Sequence, residues 1–309
     1  MSIRLVPPSE FSSLLSTLAV HLPATQLIHP IVKFEVDGFN AGTILHVYEY
    51  SMDENAQTAK FYLACKYHEH TMTIFVGNST VLDDDFEASA MAALFPVLWE
   101  RIEPEEAVEV IIPEAADVEF HNQLKLRNIT RPIRCHAKAF MYYMSPEKVK
   151  TLLKIDPVVP DGFVLKPLQL EHAEILISLL LHGVDGDTEQ AALRIRQLPS
   201  VGIFEAATDK LVAFEYNDGL GMIAHQYVYP EYRGKGLGSA VETVICQENA
   251  KVLGIWPTKA VAQLRPKVVR ITERNPLWMK LLRPDGSHQL FVWNILTRNV
   301  QPPIEFYDN

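Results

Sequence analysis

Six consecutive residues, Arg233-Gly234-Lys235-Gly236-Leu237-Gly238, place three alternate glycines and two cations directly before a long amphipathic helical pattern that begins at Leu237. Glycine lets a ligand approach the backbone closely. At a helix N-terminus the N–H groups lack intrahelical acceptors and lie at the positive end of the helix dipole. That combination binds an anion, above all a phosphate, and Arg233 and Lys235 add positive charge to it. Spacing excludes two familiar phosphate loops. A P-loop needs GxxxxGK[ST], and no Lys-Ser or Lys-Thr follows Gly236 or Gly238. A dinucleotide fingerprint needs GxGxxG after the first strand of a βαβ unit, whereas here the spacing is GxGxG and comes late in the chain.

Other chemistry-bearing groups carry less. His68-Glu69-His70 would share two imidazoles on one face of a strand, but no third ligand is indicated, so a polar hairpin end is expected. Cys135-His136 cannot pair as nucleophile and base, because adjacent strand residues point to opposite faces. Asp83-Asp84-Asp85 is explained by the start of a helix, where acids cap the amides and oppose the dipole. No metal site is expected.

The elements that must position the glycine loop are legible around it. Met222 to Tyr229 reads as a strand leading into the loop, and Leu237, Val241, Val244, Ile245 and Leu253 form nearly one helical face closed by Gly254. Upstream come a strand from Phe163 to Leu168, helices near Glu171 to Leu181 and Thr188 to Leu198, and strands at Val201 to Ala206 and Leu211 to Tyr216. Downstream, Lys267 to Thr272 is expected as a strand, Pro276 to Leu282 as a short helix and Gln289 to Leu296 as a last strand. In the first half, Ser9 to Leu22 predicts a helix, and Ile31 to Val36 with Thr43 to Tyr50 predicts a hairpin turned by Asp37-Gly38 and Asn40. Strands follow at Lys60 to Tyr67 and Met72 to Val76. Next come a helix from Phe86 to Ile102 with a capping box at Asp84 and Glu87, a strand from Ala107 to Pro113, a helix around Asp117 to Leu126 and a strand around His136 to Met144. Pro146, Pro157, Pro160 and Gly162 cluster around a short helix, Glu147 to Ile155, and there the boundary is placed, giving domains 1–155 and 156–309 in a mixed-sheet α/β fold.

Composition agrees with this. The 309 residues are 48% hydrophobic and 21% charged, enough for two cores. A formal charge of −10 argues against nucleic acid, and no apolar run is long enough to cross a membrane. Three widely spaced cysteines fit neither a disulfide framework nor a zinc ribbon and point to a reducing compartment. Met1 to Leu22 carries Arg4, Glu10 and scattered serines without an apolar h-region, so it is not expected to be a secretory signal. The cytoplasm is the expected location, with the mitochondrial matrix as the alternative. The oligomeric state leaves no trace in the sequence.

Strand, Tyr229-Pro-Glu-Tyr turn, Arg-Gly-Lys-Gly-Leu loop and helix together match (Gln/Arg)-x-x-Gly-x-(Gly/Ala) and resemble the acyl-CoA pyrophosphate loop of the GNAT superfamily of N-acetyltransferases. Within it, Tyr229 to Leu237 is similar to the loop of the glycine N-acyltransferase family. The resemblance covers about the last 150 residues; in that family the preceding domain is a non-catalytic, GNAT-like unit. It implies an acyl-CoA or acetyl-CoA co-substrate and direct attack by a small amine, such as glycine or another amino acid, on the thioester. It further implies that Val228 lies along the pantetheine arm, that Arg233, Gly234, Lys235, Gly236, Leu237, Gly238 and Ser239 hold the pyrophosphate, and that Asn275 lies near the CoA arm. The chain departs from the family at two positions. The strand glutamate that serves as base falls on Met222, and the late tyrosine falls near Leu282 or Arg283. The substitutes for a base are His225, which strict alternation turns away from Met222 unless a bulge re-aims it, and Glu215 on the preceding strand. His182 aligns loosely with an acceptor-site histidine. An acyl-CoA-binding protein without catalysis and a protein N-acetyltransferase are the alternative functions.

Overall fold

A computed structural model describes residues 1–40, 42–52, 59–180 and 183–304. In the first half, β1 (Ser2–Val6), β2 (Thr43–Ser51), β3 (Lys60–His68) and β4 (Thr73–Ser79) pair antiparallel in sequence order, and β4 then runs parallel to β5 (Ala107–Pro113). Helices cover both faces. α1 (Phe11–Val20) and α2 (Ile28–Asp37) bury Leu18, Ile28, Ile31 and Val32 against Val47 and Tyr62. α3 (Asp84–Ile102) and α4 (Glu114–Leu126) bury Phe95, Leu98 and Phe120 against Phe61 and Val110 on the opposite face. β6 (Ile133–Tyr143) and α5 (Pro146–Leu152) lead out of this half.

The second half contains β7 (Phe163–Lys166), α6 (Ala173–Ser178), α7 (Asp187–Gln197), β8 (Ser200–Glu205), β9 (Leu211–Asn217), β10 (Ile223–Val228), α8 (Leu237–Glu248), β11 (Thr258–Ala262), α9 (Pro266–Arg274), β12 (Met279–Lys280) and β13 (Leu290–Thr297). β7 to β10 form a four-stranded antiparallel sheet in sequence order. Leu237, Val241 and Ile245 of α8 pack on one face of it, and Leu176, Ala191 and Ile195 of α6 and α7 on the other. β11 does not pair with β10; it joins β6 instead. β13 returns to the first half and lies antiparallel between β5 and β6, so the larger sheet runs β1-β2-β3-β4-β5-β13-β6-β11 with β12 also on β6. No helix among the described residues is long and apolar enough to cross a membrane.

Several local expectations are corrected. Ile31 to Val36 is helical within α2, not a hairpin strand: Ile28, Ile31, Val32 and Phe34 are buried at helical spacing, and Asp37-Gly38 ends a helix with Gly38 at φ +81° rather than turning a hairpin. Val268, Val269 and Ile271 make Lys267 to Thr272 look like a strand, yet Pro266 opens α9 there, with Thr272 buried and Val268 and Val269 half-buried against the core. The strand is β11, nine residues earlier, in a short segment without alternation. Pro276 to Leu282 is a turn and β12, not a helix. The cap of α3 is Asp83, which accepts from Phe86 N at 2.8 Å, while Glu87 is fully buried.

Polar contacts also join the two halves. Lys66 Nζ donates to Gly219 O at 2.5 Å, and burial lowers this ammonium to about 8. Thr71 donates to Asp187 at 2.5 Å. Beside it, the backbone of His70 passes so close to Gly186 (φ +85°) that a Cβ there would stand 1.6 Å from His70 O. Gly186→Ala should therefore destabilise the protein by about 2–5 kcal/mol, combining left-handed backbone strain with displacement of a packed chain. A urea-unfolding midpoint within error of the parent would contradict this close approach.

Candidate functional site

The glycine loop and α8 form as the local sequence requires. Gly234 and Gly236 have φ of +77° and +82°, and a Cβ at either would find no atom within 4 Å, so the loop's outer surface is open. Gly236 caps α8; Ala240 N donates the first helical bond, to Gly236 O, and no described residue accepts from the amides of residues 237 to 239. Donors at a helix N-terminus are thus left for a ligand, in a loop that also carries two cations. Lys235 lies over the Tyr232 and Phe163 rings, with Nζ 5.1 and 5.7 Å from their centroids. Arg233 Nε donates to Val228 O at 3.0 Å.

That last contact identifies the outer edge of β10. Tyr229 N donates inward to Val212 O, so alternation directs the amide of Val228 away from β9, the side on which its carbonyl meets Arg233. β10 ends its sheet, and β11 ends the other beyond it. Between these two edges opens a cavity of about 290 Å³, reached by Ile223, Ala224 and His225 from β10 and by Ala260 and Val261 from β11.

His225 faces this cavity because β10 is bulged. The register with β9 shifts between Ala224 and Tyr227, which sets His225 and Gln226 against the single residue Glu215. His225 adopts φ +58° and stacks on Tyr216 at 5.2 Å between ring centroids. The deviation from strand alternation is the one that re-aims this imidazole. Met222, where the resembled family carries its glutamate, is buried and lines the same cavity.

Glu215 is placed differently. Its carboxylate is buried under the bulge and accepts from Gln226 Nε2 at 3.0 Å, the same amide nitrogen that donates to Gly238 O at 3.0 Å. Burial, then the neighbouring Glu242 carboxylate, push Glu215 up to about 8 against the pull of Lys259. Glu242 is held by Lys259 at 2.5 Å, by Trp278 Nε1 at 2.9 Å and by Asn275 Nδ2 at 3.4 Å, and Asn275 Oδ1 also accepts from Leu277 N. Gln226 therefore couples Glu215 to the first turn of α8, and Asn275 braces the acid cluster behind it. Because the folded state raises Glu215 above its ordinary 4.5, it binds a proton that the unfolded chain releases, and its contribution to stability is lost as pH rises from 4.5 towards 8. Glu215→Gln should gain stability relative to the parent across that window. A stability difference that stays constant from pH 4 to 9 in urea titrations would refute the burial assignment.

The cavity also holds charged groups that the sequence did not single out. Arg194, whose buried Nε has no hydrogen-bond partner among the described residues, faces it with Asp187, Asp218 and Glu109. Burial pushes Glu109 up to about 7, and Asp218, which accepts from the amides of Leu220 and Met222, is also raised by burial. Glu109 comes from β5 and the other three from the second half, so no spacing along the chain could have assembled them. The Asp218-Gly-Leu-Gly run is the one local signal, with Gly219 at φ +84° and Gly221 at φ +90°.

His68 Nδ1 contacts Met72 O at 3.0 Å and burial holds its imidazole well below the usual range. Asp84 pairs with Arg283 at 2.6 Å beside the capping Asp83. Cys135 turns to the cavity and His136 to the opposite face. His182 lies outside the described residues.

No protein-family model matches the chain, and no curated protein matches it in sequence. Solved structures do match. A Drosophila protein aligns over 96% of this chain and 98% of its own at TM-score 0.73 and 16% identity. A GCN5-related N-acetyltransferase from Sphaerobacter thermophilus aligns over 99% and 98% at TM-score 0.55 and 10% identity. A tandem GNAT protein from the clavulanic acid biosynthesis pathway aligns over 97% and 100% at TM-score 0.52 and 11% identity. The mixed α/β fold is thus that of GNAT proteins.

Proposed function

We propose that the protein is an N-acyltransferase that moves an acyl group from a CoA thioester to the amine of a small acceptor such as glycine or another amino acid, with both substrates bound together. One arrangement carries this reading: an anion-binding glycine loop heads α8 just after β10, and the bulge of that same strand turns an imidazole into the cavity between the parted edges of β10 and β11. The phosphates of CoA suit the loop, and the outward amide of Val228 suits the arm that must cross the strand edge. Edge amides of β10 polarise the thioester carbonyl, the amine nitrogen attacks its carbon, His225 takes the amine proton, and the C–S bond breaks to release the CoA thiolate, which gains a proton from solvent. Arg194 beside Asp187, Asp218 and Glu109 gives the cavity both signs of charge, which supports a small zwitterion: a carboxylate towards the guanidinium, an ammonium towards the acids.

A second reading, an acyl-CoA-binding protein without turnover, is favoured by Met222, which cannot accept a proton where the resembled family has a glutamate. One experiment separates them. Purified protein is given acetyl-, benzoyl- and longer acyl-CoA with a panel of amino acids and amines, and free thiol is followed. Release that depends on the acceptor supports the transferase; tight CoA binding with no release under any acceptor selects the binding protein.

A further inference from the structure

We propose that Asp117, His121 and His136 form a binding site for one divalent first-row transition-metal ion, on the face of the sheet opposite the cavity. Asp117 and His121 are one turn apart on α4, and His136 reaches them from β6. His121 Nε2 lies 3.5 Å from Asp117 Oδ1, His136 Nε2 lies 4.0 Å from Asp117 Oδ2, the two imidazole centroids are 5.4 Å apart, and one donor atom of each residue falls within 4.8 Å of the others. Ligands about 2.0–2.1 Å from a tetrahedral zinc ion stand roughly 3.3 Å apart, so the three need only contract slightly.

Three further observations point to a cation. Asp117 is buried and pairs with no Lys or Arg among the described residues; its partners at this range are the two imidazoles. His121 Nε2 is out of reach of solvent and makes no hydrogen bond of good geometry among the described residues, its carboxylate neighbour Asp117 standing 3.5 Å away. Asn294, fully buried on β13, donates to Asp117 Oδ1 at 2.6 Å and meets His136 Nδ1 at 2.8 Å, the kind of outer contact that orients a ligating carboxylate and fixes an imidazole whose other nitrogen binds metal. Two nitrogens and one carboxylate oxygen are a donor set for zinc or a neighbouring ion, and the half-exposed His136 leaves a fourth position towards solvent. The ion would pin α4 to β6 and, through Asn294, to β13.

Strand alternation sets this site apart from the cleft. Cys135, Ala137, Trp293 and Ile295 line the cavity, whereas His136 and Asn294, one residue along on the same strands, point to the other face. The inference does not depend on the proposed acyl transfer.

The test uses Co²⁺ as the probe ion on the whole protein after treatment with chelator. The parent should bind one equivalent with visible d–d absorption and unfold at a higher temperature when Zn²⁺ is added. His136→Gln, a change at a half-exposed side chain that leaves the metal-free Tm in place, should weaken Co²⁺ at least about 10-fold and abolish the Zn²⁺-dependent shift. His121→Gln should do the same, and His70→Gln, at the other paired histidines, should leave both signals intact. Equal Co²⁺ affinity in the parent and His136→Gln, or loss of binding in His70→Gln alone, would overturn the site.

Discussion

Gly236→Val should lower affinity for CoA by at least about 100-fold while leaving the fold in place. At φ +82° the valine Cβ meets no protein atom, so the core is untouched, but the side chain projects over the loop surface where a pyrophosphate must approach the amides of α8. A hydrogen bond to a charged group is worth about 1.5–3 kcal/mol, and losing two corresponds to about 10²- to 10⁴-fold in affinity. Left-handed strain of about 1–2 kcal/mol adds a pull to reshape the turn. Calorimetric titration with CoA, alongside circular dichroism to establish folding, checks both parts. Unchanged affinity in a folded variant would remove the loop from the binding site and, with it, the strongest support for a CoA thioester.

His225→Gln carries the second large effect. If the imidazole accepts the amine proton, turnover at saturating acyl-CoA should fall about 10²- to 10⁴-fold, and the limb of the pH–rate profile near neutrality, where an imidazole titrates, should flatten. Glutamine keeps a polar planar side chain against Tyr216, so CoA affinity should hold. A slower enzyme with the parental pH profile would return His225 to a packing role on Tyr216 and leave orientation and carbonyl polarisation to account for the rate. The Glu215→Gln variant supplies the contrast: its carboxylate is tied to Gln226 beneath the bulge rather than facing the cavity, so its mutation should act through the position of β10 and the first turn of α8.

The loop, α8 and most strands were legible because their signals are local. Alternate glycines, a Tyr-Pro-Glu-Tyr turn and a helical stripe from Leu237 to Leu253 lie within 25 residues, and Gly254 ends the stripe at φ +60°. What was not legible depended on partners distant in the chain. β-branched residues in α2 and α9 imitate strands when only neighbours are counted, and β11 lacks alternation because β6 and the cavity, not solvent, flank it. The bulge could be named as a requirement for His225 but not seen, since a register shift is a property of two strands together. Glu109 joining Arg194 in one cavity, and Asn294 joining Asp117 and His136, depend on pairings across 85 and 177 residues respectively in sequence.

The return of β13 to a place between β5 and β6 sets the order in which the molecule can be made. Until residue 297 has left the ribosome, the sheet begun by the first 143 residues has a vacant lane at its middle, with the backbone donors and acceptors of two strands waiting for a partner synthesised about 150 residues later. Contacts of such separation form slowly, and open strand edges invite pairing with other chains. The first half, expressed by itself, should therefore accumulate as aggregate, and a synthetic peptide spanning β13 should rescue it if supplied during folding. Despite its two-part outline, the protein is a single unit of synthesis, and genetic exchange of one half for that of a relative would succeed only if the closing strand travelled with the sheet it completes.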